Sequence, residues 1–149
     1  MMRNLLIILA FVLTGQVAQA GADSDPGYVL YPYDGTFEEA ASSVENAIVG
    51  AGLVIDYVSN SGEMLERTKA DVGSDVTIYD DAKIYLFCSA RLSRKVLEAD
   101  PTNIAWCPYS IFVYDRAGQV QIGYHRYPAG IMQEVEALLD SIVQEAVAF

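Results

Sequence analysis

Between Phe87 and Tyr109 the chain reads FCSARLSRKVLEADPTNIAWCPY. Both cysteines, Cys88 and Cys107, and the single tryptophan, Trp106, fall inside it. Cys88 closes an apolar run, Lys83 to Ser89, of strand character. Ser89 can cap the helix that follows, whose apolar face is Leu92, Val96 and Leu97. Asp100-Pro101 stops that helix, because a residue before proline is pushed out of the α region. Beyond Cys107-Pro108 a second strand is expected over Ser110 to Asp115. The stretch is thus a strand, a helix and a return, with a thiol near each end.

Reading downstream, Arg116-Ala117-Gly118-Gln119 is a hairpin turn, and a further strand runs from Gln119 to about Tyr127. Pro128 to Gly130 breaks it. A last helix spans about Ile131 to Val147, with Ile131, Val135, Leu138, Leu139, Ile142, Val143 and Ala146 as its buried stripe.

Upstream, Tyr28 to Tyr33 reads as a strand, placed at an edge by Pro32. Thr36 and Glu39 have capping-box spacing, and Phe37, Ala40, Ala41, Val44, Ala47, Ile48 and Ala51 follow a helical repeat. Leu53 to Ser59 is a strand. Glu63 to Val72 is a helix, with Met64, Leu65, Thr68 and Val72 inward. Gly73 to Asp81 is an acidic loop with a short extended piece at Val76 to Tyr79. The order predicts an α+β two-layer sandwich: a mixed, largely antiparallel sheet of about five strands with about four helices.

Side chains alternate along strands, so the hairpin sorts its residues by face. With Ala117-Gly118 as the turn, Val113 lies opposite Ile122, Phe112 opposite Gly123, and His125 opposite Ser110. The aliphatic face would take the helices. The other face carries Phe112, Tyr114, Gln121 and His125, and Tyr85 and Phe87 are expected to join it as ligand-binding candidates. Gly123, with no side chain, leaves room opposite Phe112 for a ring or a ligand.

The first twenty residues have the form of a secretory signal: Arg3, then the apolar run Leu5 to Leu13, then Ala18-Gln19-Ala20 before a cut. The run is short of the ~20 residues that a membrane span needs. Residues 21–149 are then one domain, periplasmic or secreted. Nine basic residues against twenty acidic ones give a net charge of −11. Such a chain repels phosphate backbones and anionic lipid, so nucleic acid and membrane surfaces are not expected partners.

An oxidising compartment permits a bridge between Cys88 and Cys107, closing a loop worth about 3 kcal/mol. Two buried thiols or a redox pair are the other readings. No C-x-x-C is present to lower a thiol pKa. His125 is the single histidine. It is a surface residue or, alternatively, a ligand to haem iron; C-x-x-C-H is absent, so such a haem would be noncovalent. One histidine and two cysteines fall short of a four-ligand zinc site in one chain. No G-x-S-x-G surrounds a serine, which weakens a hydrolase reading. The acidic loop around Asp71, Asp75, Asp80 and Asp81 lacks the EF-hand pattern.

Taken together, Met64-Leu65-Glu66-Arg67-Thr68, Phe87-Cys88-Ser89-Ala90, Ala99-Asp100-Pro101 and Cys107-Pro108-Tyr109 resemble the bacterial family called domain of unknown function 302, from about Tyr31 to Tyr127. The resemblance implies a compact α+β domain, often a homodimer, with haem binding or sulfur and redox metabolism as associated roles. It implies no reaction and no catalytic residue. The expectation is an exported domain that dimerises through one sheet face and binds a small ligand or an exported protein partner rather than catalysing a reaction. The alternative is a haem or redox protein using His125 or the Cys88/Cys107 pair.

Overall fold

The computed structural model describes residues 27–148. The export signal read at 1–20 lies outside them. Among the described residues no helix is long and apolar enough to cross a membrane.

Five strands form one sheet: β1 (Tyr28–Tyr33), β2 (Val54–Ser59), β3 (Asp81–Cys88), β4 (Tyr109–Arg116) and β5 (Gln119–His125). Their spatial order is β1-β5-β4-β3-β2, and every neighbouring pair is antiparallel. The parallel component expected of a mixed sheet is absent for a simple reason. β1 and β2 do run in the same direction, but their connection carries the chain from one edge to the other, so they never pair.

That connection is helix α1 (Phe37–Gly50). Thr36 Oγ1 accepts from the Glu39 N–H at 3.2 Å, and the Thr36 N–H donates to Glu39 Oε2 at 2.8 Å, so both halves of the capping box form. Phe37, Ala40, Ala41, Val44, Ala47 and Ile48 are buried, as the helical repeat requires. Helix α4 (Gln133–Val147) lies beside α1 on the same sheet face and buries Val135, Leu139, Ile142, Val143 and Ala146. Alanines on both helices leave room for close packing. Helix α3 (Ala90–Ala99) is capped by Ser89 Oγ, which accepts from the Leu92 N–H at 3.3 Å. It buries Val96 and reaches α4 through the Lys95–Glu134 ion pair.

Helix α2 (Ser61–Thr68) departs most from expectation. It ends before Val72, in a 3-10 turn over Ala70–Val72 that closes on Gly73 with φ 73°. Met64 and Val72, expected inward, are exposed. α2 packs through its first turn: a Cβ on Gly62 would sit 2.4 Å from the Ala82 nitrogen. Past that turn the helix is less covered: Leu65 and Thr68 are half-buried and Met64 is exposed. Residues 74–79 form a loop with no strand.

Candidate functional site

The hairpin fixes which residues face the helices. Ala117 and Gly118 hold φ 55° and 75°, the pair of left-handed conformations that a two-residue primed turn requires. Phe112 then pairs with Gly123 and Val113 with Ile122, as the sequence predicts. Tyr109, Ile111, Val113, Val120, Ile122 and Tyr124 lie buried beneath α1 and α4.

Tyr85 and Phe87 belong to that covered face, not to the open one. Tyr85 pairs with Ile111 and Phe87 with Tyr109, and both rings are buried. The Tyr85 hydroxyl donates to the Ala41 carbonyl at 3.0 Å, and burial, with Glu45 nearby, pushes its pKa up to about 12. β3 is apolar on both faces, so alternation alone does not say which face the helices take. The β3–β4 register decides, and it turns Ile84 and Leu86 outward beside Phe112.

No described helix covers the middle of the opposite face. Leu30, Ile84, Phe112 and Tyr114 form an apolar floor there, with Tyr28 and Tyr79 at its sides. Tyr79 comes from the 74–79 loop and tilts against Tyr114 with ring centroids 5.3 Å apart. Together with Ser61, Ala82 and Arg116 these residues enclose a cavity of about 380 Å³, within the range of small-molecule sites. Phe112 occupies the gap over Gly123: a Cβ there would lie 2.5 Å from Phe112 Cζ. The glycine therefore seats one of the protein's own rings, and the ring in turn floors the cavity.

Of the residues singled out from sequence, Phe112 and Tyr114 line this cavity, while His125, Cys88 and Cys107 do not. His125 is exposed at the end of β5, its ring 6.2 Å from that of Phe112. Among the described residues no three or more of the His, Cys, Asp and Glu side chains are grouped to hold a metal.

Cys88 and Cys107 are half-buried free thiols in side-chain contact with each other. Burial raises the Cys88 thiol above the ordinary range, Cys107 adds to this, and the Tyr109 backbone N–H partly offsets it. A raised thiol stays protonated at neutral pH and is a poor nucleophile. Around the pair, Tyr127 packs against Trp106 and edge-on to Tyr109, with centroids 5.5 and 6.1 Å apart. Ser93 Oγ lies 3.0 Å from the Tyr109 hydroxyl.

A second polar centre escapes the sequence reading. The Tyr31 and Tyr124 hydroxyls both donate to Asp140 Oδ1, at 2.6 and 2.7 Å, and Gln144 donates to Oδ2 at 2.6 Å. This ties β1 and β5 to α4. Helical spacing of Asp140 with Gln144, beside the buried Leu139 and Val143, is the one signal the sequence offers for it. Burial works to raise the Asp140 carboxyl, but Tyr124, Tyr31 and Gln144 outweigh it and hold the pKa below the usual range. A depressed folded pKa contributes stability that is present above the unfolded value of ~3.9 and is lost as pH falls through the folded one. Asp140→Asn should therefore flatten the acid limb of the stability curve below about pH 4. Urea midpoints at pH 7 and pH 3 test this, and an unchanged difference between them would remove Asp140 from the account.

The family model for Domain of unknown function DUF302 matches residues 29–148. The chain belongs to the DUF302 family. A solved structure shares the fold of this DUF302 domain: the crystal structure of an uncharacterised conserved DUF302 protein from Bacillus stearothermophilus. It has a TM-score of 0.60 and 16% identity, over 83% of this chain and 94% of that one. No curated protein matches this DUF302 chain.

Proposed function

We propose that this domain is a binding protein that seats a small apolar ligand on the open sheet face. The observation that carries the reading is the cavity itself: half-buried aromatic and aliphatic side chains on a face that the fold leaves uncovered. Soluble domains seldom leave such a face bare without a use for it. Export, as read from the sequence, goes with the proposal, and so does self-association, here through the sheet edge rather than the sheet face that the sequence reading favours. For self-association, Val54 and Tyr57 are 74% and 62% exposed on the edge strand β2, away from the cavity. Equilibrium sedimentation checks this part, and a monomer at all concentrations would remove it.

Titration with a neutral naphthalene dye whose emission rises in apolar surroundings tests the cavity. The dye should bind with one-to-one stoichiometry. Leu30 lies on the outer strand and is 36% exposed, so Leu30→Lys should fold normally while weakening the dye about tenfold or more, by placing a charge on the floor. Unchanged binding in Leu30→Lys would place the dye elsewhere and defeat the reading.

A noncovalent haem is the second reading, favoured by the position of His125 beside Phe112 on this same face. His125 would supply one axial nitrogen. A stoichiometric Soret band lost in His125→Ala would put this reading first. Haem uptake unaffected by that substitution would end it.

A further inference from the structure

The cavity has a polar rim whose chemistry is one-sided. Five tyrosine hydroxyls are bonded within the chain: those of Tyr31, Tyr33, Tyr85, Tyr109 and Tyr124. The cavity tyrosines Tyr28, Tyr79 and Tyr114 have no such partner among the described residues. Tyr79 tilts against the Tyr114 ring, and Tyr28 and Arg116 line the same cavity.

Arg116, the last residue of β4, forms no ion pair among the described residues, whereas Lys69, Arg94, Lys95 and Arg126 all do. Arg67, Lys83 and Arg91 form none either, and of these four only Arg116 brings its charge to the cavity. No Asp or Glu lines the cavity. The Lys83 ammonium is turned to the other face of the sheet, 5.5 Å from the centre of the Phe37 ring. A cationic ligand would find no counter-charge here. A neutral apolar ligand would make no use of the guanidinium and the three hydroxyl donors, which would stay with water. A carboxylate suits them, because a guanidinium fork grips two oxygens and phenol hydroxyls donate to what remains.

Building on the apolar-ligand reading above, we infer that the ligand is a small planar organic acid. Its flat body lies over Phe112 and Ile84, and its carboxylate sits between Arg116 and the Tyr28, Tyr79 and Tyr114 hydroxyls. The aromatic floor supplies affinity and the rim supplies the choice of anion.

The test is calorimetric titration with 2-naphthoate and with 2-naphthylmethanol, which share a ring system and differ in charge. The acid should bind about tenfold or more tightly than the alcohol, the usual scale of a charge-assisted hydrogen bond. Arg116→Gln should remove that advantage and leave the alcohol unchanged, and Arg116→Lys should restore part of it. Equal affinities, or an equal loss of both in Arg116→Gln, would overturn the anion inference and leave the apolar cavity standing. If neither probe binds while the neutral dye does, the inference also falls. If the dye fails as well, the cavity reading itself is lost.

Discussion

Phe87→Ala is expected to cost about 3–5 kcal/mol, a large part of the ~5–15 kcal/mol that holds a domain of this size together. The Phe87 ring is fully buried between the sheet and the helices and sits beside Tyr85, Tyr109 and Ile111. Truncation removes the transfer free energy of the ring and leaves a cavity that so interlocked a layer cannot fill. Phe112→Ala, one strand away and on the opposite face, removes a half-exposed ring and should cost much less while weakening the ligand. Denaturant midpoints of the two variants, measured together, decide between the two assignments of β3. A Phe87→Ala variant as stable as Phe112→Ala would mean that β3 presents its other face to the helices.

Gly123→Val should cost at least the upper part of the ~1–3 kcal/mol typical of overpacking. A Cβ at this position would lie 2.5 Å from the Val29 carbonyl oxygen and 2.5 Å from Phe112 Cζ. The ring can swing aside; the carbonyl belongs to the β1–β5 ladder and cannot. Phe112→Ala in the same chain should therefore recover only part of the loss, and the double-mutant cycle reads that share directly. Full recovery would show that the backbone of β1 gives way more easily than its pairing implies. The ligand should be lost in Gly123→Val at any stability, because the displaced ring moves into the cavity.

The extent to which the site was legible varies with the kind of signal. Thr36 with Glu39 and Ser89 with Leu92 are local devices, and the helices begin where those residues place them. The two-residue turn at Ala117-Gly118 fixed the pairing of Phe112 with Gly123, and hence the centre of the open face. Alternation does not place Tyr85 and Phe87, because β3 carries large apolar side chains on both faces, and only its pairing with β4 sorts them. Met64 and Val72 follow a helical repeat, yet the repeat cannot say whether another layer stands opposite. Tyr79 and Arg116 reach the cavity from a loop and a strand end, where periodicity carries no information. In the Asp140 centre helical spacing links Asp140 only to Gln144, and no spacing rule joins Tyr31 and Tyr124 to them from two strands.

The place of β1 bears on how the protein comes into being. β1 is the first described strand of the chain, and its only strand partner among the described residues is β5: Tyr28 pairs with His125 and Tyr33 with Val120. A growing polypeptide must therefore leave β1 unpaired until nearly the whole domain has been synthesised. Until then Leu30 has no Gly123 beside it, and Tyr31 has no Asp140 to bond. Such long-range closure is slow to form, and until then a partial chain can pair only β2, β3 and β4. Closure of the sheet by β1 should accordingly come late in synthesis, waiting for the C-terminal third of the chain.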